Sequence, residues 1–345
     1  MQIEYLGASA LRVSRLCLGA MTFGRTTDEA VSRRIIDSAR DQGVNFIDTA
    51  DVYSMGGSEE IVGRAIAADR DRWVVATKFA NAMGSEPNQR GYSRKWIFEN
   101  VDASLRRLGA DYIDLLYIHR PLYGEPLSEA LRAIGDLIRQ GKIRYYGLSN
   151  FHGWRIAEVC RLADALGMER PIASEPLYNI VSREAEVEQL PAAAHYGLGV
   201  VAYSALARGV LTAKYVPGSA PDPDSRVGRG DTRILQTEWR PASQNIAQAI
   251  ARHAEEKGLS AADFALAWVL ANPFVSSVIA GPRTEEQWQA YGRALTVELT
   301  SEDEAFVDSL VSPGHGSTAG FTDPSYPVEG RPDRTLCRND RTPFP

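Results

Sequence analysis

Eight short, apolar, β-branched runs recur along the chain, and amphipathic stretches of a dozen residues or more separate most of them. The runs are RLCLGA, NFIDTA, WVVATK, YIDLLYIH, IRYYGLSN, IASEP, GVVAYS and SSVIAG. This alternation constrains the fold more than any other feature. Parallel strands need crossovers long enough to hold a helix, and those crossovers turn right-handed. Eight such units point to a closed (β/α)8 TIM barrel rather than to an open, doubly wound sheet.

The segments between the runs carry helix signals of their own. In TTDEAVSRRIIDSARDQG, residues Ala30, Ile35, Ile36 and Ala39 share one face and Gly43 supplies a left-handed cap. In SAADFALAWVLANP, Ser260 and Asp263 form a capping box and Pro273 ends the helix. Three additions to a plain barrel are expected. Residues IEYLGASALRV read as a hairpin around Gly7 that covers the barrel bottom. Ala207 to Pro241, rich in Gly, Pro and Asp, reads as a long structureless loop after the seventh strand, and loops of this length usually act as lids or are disordered. From Ser312 the Pro and Gly density excludes regular structure. The expected layout is a barrel over residues 1–311 and an extended tail over 312–345.

At 345 residues the chain accommodates one barrel with insertions as readily as two smaller domains. Its 44% hydrophobic and 24% charged residues suffice for a sizeable core. The net charge of −6, with no basic stripe, argues against a nucleic-acid partner. Cys17, Cys160 and Cys337 are odd in number and widely spaced, which argues against a disulfide framework or a zinc ribbon and for a reducing compartment. The first residues lack the charged and apolar regions of a secretory leader, and no stretch reaches the ~18 apolar residues of a spanning helix. A soluble, cytoplasmic protein with no membrane partner is expected.

Barrels of this class assemble their chemistry where the strands end. The second run closes on Asp48, with Tyr53 just beyond, the third on Lys78 and the fourth on His119. A phenol with an ordinary pKa of ~10 is a weak acid at neutral pH, but a nearby ammonium favours its ionised form. Lys78 can supply that ammonium, and Asp48 can keep it charged when desolvated. His119 can donate to a carbonyl oxygen. The set suits protonation of an oxygen that gains negative charge, as in carbonyl reduction. Each residue alone has a plainer reading as a solvated or structural group; four compatible groups at successive strand ends outweigh it.

The chain resembles the aldo-keto reductase superfamily in six ordered blocks. GVNFIDTADVY with GGSEEIVGRAI is similar to its first signature, VVATK to the block of its catalytic lysine, and DLLYIHRP to that of its histidine. GKIRYYGLSNF, VVAYSALARGVLTAKY and SSVIAGPRTEEQ follow in the family's order. PNQRGYSR and LARGVLTAKY place it nearer the bacterial and potassium-channel β-subunit branches. The resemblance implies catalytic roles for Asp48, Tyr53, Lys78 and His119, and a small carbonyl compound as substrate.

A nicotinamide cofactor needs its own residues. Gly197, Gly199 and Ala202 have the spacing of a dinucleotide fingerprint but enter a strand rather than a helix, so a Rossmann reading fails. The barrel alternative puts phosphates after strands seven and eight, where Arg283 stands beside a Thr284 to Gln287 capping pattern. The resemblance implies NADPH over NADH, held through Arg283 and Gln287. It also implies Ser149, Asn150 and Tyr203 at the nicotinamide, Ser204, Leu206 and Arg208 along the diphosphate, Met21 and Thr22 at the ribose, and Asp48 among the cofactor contacts. The chain departs from the family at Glu175, where glutamine usually holds the carboxamide, at Ala290 and Tyr291, where related members put a glutamate and an asparagine on adenine, and at Ala205, usually proline. A neutral amide both donates and accepts; an ionised Glu175 only accepts. Phe23, Met83, Trp239 and Tyr326 are candidate pocket walls, and Arg90 and Arg94 candidate contacts to an anionic substrate.

Overall fold

The computed structural model describes residues 1–326. A hairpin comes first, β1 (Ile3–Tyr5) antiparallel to β2 (Arg12–Ser14). Eight parallel strands follow: β3 (Leu16–Gly19), β4 (Phe46–Asp48), β5 (Val74–Phe79), β6 (Ile113–Ile118), β7 (Ile143–Ser149), β8 (Ala173–Glu175), β9 (Gly199–Ala202) and β10 (Val275–Ala280). They close in chain order, β10 pairing with both β3 and β9. Each of the eight apolar runs supplies one strand, so the (β/α)8 reading holds.

The helices of the described residues are α1 (Glu29–Asp41), α2 (Gly57–Ile66), α3 (Arg94–Leu108), α4 (Leu127–Arg139), α5 (Gly153–Ala165), α6 (Gln189–Tyr196), α7 (Thr232–Gln236), α8 (Pro241–Glu256), α9 (Ala261–Ala271), α10 (Glu285–Tyr291) and α11 (Ser301–Leu310). None is long and apolar enough to cross a membrane. In α4 the residues Leu127, Ala130, Leu131, Ile134 and Leu137 fall on one stripe and are buried. Each leucine or isoleucine so buried contributes about 1.5–3 kcal/mol. In α1 the buried face is Ser32, Ile35, Ile36 and Ala39. Ala30, expected on that face, lies two positions before Ser32, where the stripe begins, and is exposed. Gly43 follows α1 with a φ of +81°, and α9 starts with the Ser260 and Asp263 capping box, both as expected.

The hairpin seals the lower end of the barrel. Leu6 is buried, and Gly7, at φ +61°, lies so close to Gly197 and Gly199 that a Cβ would fall 2.3 Å from the Gly199 nitrogen. Above it the interior is packed by Cys17, Phe46, Ala76, Leu115, Tyr117 and Val201.

Of the other two expected additions, one changes and the other holds over the described residues. The segment 207–241 is not structureless: a 3-10 turn spans Ala207–Thr212, and Asp231 caps α7 by accepting from the Arg233 and Ile234 amides. Its fold comes from caps and ion pairs, which leave no periodicity to read. The tail residues 312–326 form no helix or strand and pack on the barrel as an arm. Gly316 bridges Ser182, the Ser317 amide donates to the Val181 carbonyl, and Arg240 lies over the Phe321 ring. The rest of the expected tail, with Cys337, lies outside the described residues.

Candidate active site

Strand parity builds the floor of the site. Side chains alternate along a strand, so residues two apart share a face. In β5, Val74 and Ala76 point into the barrel and Val75 and Phe79 point out, which turns Lys78 inward. Phe46 does the same for Asp48 in β4, Leu115 and Tyr117 for His119 beyond β6, and Ala173 for Glu175 in β8. Register then sets Asp48 opposite Ala76, Lys78 opposite Tyr117, and Ser149 opposite Glu175.

Lys78 is fully buried. Its Nζ lies 2.5 Å from both carboxylate oxygens of Asp48, 3.0 Å from the Thr49 carbonyl and 3.5 Å from Glu175 Oε1. Burial alone would discharge the ammonium, but its acidic partners, Asp48 first, hold Lys78 protonated. Burial likewise pushes the Asp48 carboxyl up, against the pull of Lys78.

Tyr53 reaches the floor from the loop after β4. Ser54, Met55 and Gly56 follow it at φ of 52°, 54° and 93°, a left-handed run that costs about 1–3 kcal/mol per non-glycine residue. The neighbouring structure pins this loop. Ser54 Oγ donates to the Phe23 carbonyl at 2.7 Å, and buried Asp51 accepts from the Val52 amide at 2.6 Å and from Asn100 Nδ2 at 2.7 Å. Burial raises the Asp51 carboxyl to about 7, against the pull of Asn100. Lys78 Nζ sits 5.3 Å from the centre of the Tyr53 ring, and His119 meets that ring edge-on at 5.9 Å. Burial raises the phenol well above its ordinary value. Lys78 pulls it back, and the Asp48 charge works against Lys78. Tyr53 therefore holds its proton at neutral pH, as a general acid must, and Lys78 eases its release.

His119 is neutral, its pKa lowered by burial and by the Lys78 and Arg120 charges. Asn81 Nδ2 donates to its Nδ1 at 3.0 Å, which leaves the proton on Nε2.

A cavity of about 590 Å³ opens above the floor. Its lining includes Asp48, Tyr53 and His119, and every residue assigned to a cofactor from sequence: Met21, Thr22, Ser149, Asn150, Glu175, Tyr203, Ser204, Leu206, Arg208, Arg283 and Gln287. Ser149 Oγ donates to the Glu175 carbonyl at 3.1 Å, and Tyr203 OH donates to Asn150 Oδ1 at 2.7 Å. Thr284 caps α10 as expected, but Gln287 Oε1 accepts from the Arg283 amide rather than from that of Thr284.

Other residues escaped the sequence reading. Lys214, Arg226 and Arg233 also line the cavity, and Asn81 stands behind His119. Lys214 is lowered by burial and by the Arg283, Arg226 and Arg229 charges, and Arg226 by burial and by Arg208, with Arg283 adding to it. Arg208 pairs with Glu238 at 3.0 Å. Cations crowded this way are stabilised by an anion. Loop lysines and arginines carry no pattern that separates them from solvated ones; the repeat of basic residues from Lys214 to Arg233 was the available hint.

Of the expected pocket walls only Tyr326 lines the cavity. Phe23 is core, Trp239 packs edge-on against Tyr215, and Met83 stands outside the lining. Arg94 pairs with Asp136 and Arg90 is exposed, both away from the cavity.

Comparison with known proteins agrees with this geometry. The chain is 40% identical to a probable voltage-gated potassium channel subunit beta of Arabidopsis thaliana, over 86% of this chain and 92% of the relative. It is 37% identical to the uncharacterized oxidoreductase YrpG of Bacillus subtilis, over 92% and 97%. It is 31% identical to versiconal hemiacetal acetate reductase of Aspergillus parasiticus, over 91% and 99%. The profile of the aldo/keto reductase family matches residues 15–312, which span the whole barrel and the floor just described. The chain therefore belongs to the aldo/keto reductase family, as an oxidoreductase of that barrel type.

Proposed function

We propose that the protein reduces an aldehyde or ketone to an alcohol with NADPH, Tyr53 serving as general acid. The observation that carries this reading is one cavity with a protonated phenol against the Lys78–Asp48 pair at its floor and crowded cations at its far end. The lining fits such a cofactor. The phenol ring of Tyr203 and the polar groups of Ser149, Asn150 and Glu175 suit a nicotinamide and its carboxamide. Arg283, with Lys214 and Arg226, suits a 2′-phosphate, which favours NADPH over NADH.

Bound there, the cofactor supplies hydride to the carbonyl carbon. Tyr53 gives its proton to the carbonyl oxygen as negative charge builds on it, and His119 holds that oxygen through Nε2–H. Lys78 stabilises the phenolate left behind, and Asp48 holds Lys78 in place. The buried thiols of Cys17 and Cys160 suit a reducing cytoplasm.

A second reading, a slow-turnover regulatory subunit that binds the cofactor, draws on the relatives named as potassium channel β subunits. Titration with NADPH and then NADH, followed by tryptophan fluorescence, comes first, and steady-state reduction of a nitrobenzaldehyde second. Tight, selective NADPH binding with turnover supports the reductase. Binding without turnover favours the regulatory reading, and failure to bind either nucleotide overturns both.

A further inference from the structure

The floor holds one cation for two carboxyl groups. Lys78 contacts both oxygens of Asp48 at 2.5 Å but reaches only Oε1 of Glu175, at 3.5 Å, and none of the three side chains is more than 4% exposed. With Asp48 and Lys78 paired, an ionised Glu175 would stand as an uncompensated buried charge, which is strongly disfavoured. Binding a proton removes that cost.

The second oxygen of Glu175 shows where the proton can be used. Among the described side chains that line the cavity, Glu175 alone has a fully buried polar atom, Oε2, with no hydrogen-bond partner of ordinary geometry, and its carboxyl also faces that of Asp48, whose charge favours a proton on Glu175. Its neighbours are already engaged: Ser149 Oγ donates to the Glu175 carbonyl, and Asn150 Nδ2 donates to the His119 carbonyl and to Ser149 Oγ. The charged and titratable groups facing Glu175 come from several strands of the barrel and from the tail. They are Cys17 of β3, Asp48 of β4, Tyr53 beyond it, Lys78 of β5 and Tyr117 of β6. Tyr203 beyond β9 and Tyr326 of the tail also face it, and among the groups that act most strongly on Glu175 Lys78 is the cation.

We propose that Glu175 carries a proton in the folded protein and meets its ligand as a neutral carboxylic acid, donating from Oε2 to an amide oxygen at the cavity floor. Under the reading above, on which this rests, that oxygen belongs to the nicotinamide carboxamide. Burial first, and the Asp48 charge second, hold the Glu175 carboxyl well above the usual range. A neutral acid donates and accepts as a glutamine does; the ionised form only accepts, and it repels an amide oxygen. Because the folded pKa is raised, the donor is present at low pH and is lost as pH rises through that value. The same proton leaves Lys78 free to act on Tyr53, because the second carboxylate that would oppose it is neutral.

Two measurements test this. Infrared spectra of protein labelled with 13C-carboxyl glutamate should show, at neutral pH, a protonated carboxylic acid band that shifts with the label, moves when NADPH is added and disappears in Glu175→Gln. Absence of that band at neutral pH overturns the protonation, and its survival in Glu175→Gln overturns its assignment to Glu175. The label makes this readable in the wild-type chain even if the variant does not fold. NADPH affinity of the wild type should fall toward high pH, about tenfold per pH unit above the titration of Glu175, whereas Glu175→Gln should bind with no such slope. A wild-type affinity that is flat with pH, or a slope retained in Glu175→Gln, overturns the donation to the ligand. Failure to bind NADPH at any pH would instead sink the nicotinamide reading, and the infrared band would still decide whether Glu175 holds the proton.

Discussion

At the floor of the cavity, Asp48, Lys78, His119 and Glu175 each continue the inward face of a barrel strand, so backbone ladders fix their positions. At the rim, segments remote in sequence are tied by side chains. Arg233 of α7 grips both oxygens of Asp323, Arg120 donates to the Ser325 carbonyl at 3.0 Å, and Arg208 pairs with Glu238. The floor inherits the stiffness of the sheet, and its failures should be large and chemical. Each rim contact is one pair of side chains, so changes there should be small, separable and selective.

Tyr53→Phe should break the floor most sharply. Turnover should fall by about 10²–10⁴, the usual contribution of a positioned acid, while NADPH affinity changes little. Retention of more than a tenth of the rate would remove Tyr53 from the role. Lys78→Met leaves the Asp48 charge buried without its partner and should cost about 3–5 kcal/mol in urea unfolding, with loss of turnover. Lys78→Met with Asp48→Asn should recover stability but not activity; recovery of both would mean that the pair is structural only.

Asp51, below the Tyr53 loop, sharpens the comparison through pH. Its folded value of about 7 lies above the ordinary carboxyl value, so the folded state binds the extra proton between the two. That contribution is complete below about pH 4 and is lost as pH rises to about 7, at about 1.4 kcal/mol per unit. Chemical denaturation across this range should show the wild type losing stability relative to Asp51→Asn. Parallel curves would mean that Asp51 titrates normally.

Arg226→Ala, at the cationic end, should weaken NADPH by about 1.5–3 kcal/mol, the worth of a charge-assisted contact, and NADH far less. Equal loss for both nucleotides would detach Arg226 from the 2′-phosphate. Asp323→Asn should be mildest. Its bridge to half-buried Arg233 is worth about 1 kcal/mol or less, and its removal should raise the KM for a bulky aldehyde with nucleotide affinity unchanged. A loss of nucleotide affinity of the same size would mean that tail and floor act as one unit.

The same division decides what could be read from the sequence. Strand residues repeat with period two, so Lys78 two after Ala76, and Asp48 two after Phe46, announce their direction. The eight strands, the hairpin and the floor were legible for that reason. The five-residue helix TRILQ is too short to show a period, and only Asp231 before it signals a start. Asn81 on His119 and Asp323 on Arg233 join positions 38 and 90 residues apart, and nothing local marks either pair. For Tyr53 the residue types show that lysine can ease release of the phenol proton but not how far burial opposes it.

The hairpin has a practical consequence for attaching things to this protein. It lies across the lower mouth of the barrel, with Met1 against Gly43 at the end of α1, while Tyr326 lines the cavity at the opposite mouth. A reporter or surface tether joined ahead of Met1 hangs a full barrel length from the chemistry. One inserted after Tyr326 starts at the doorway, where it competes with every molecule that enters or leaves.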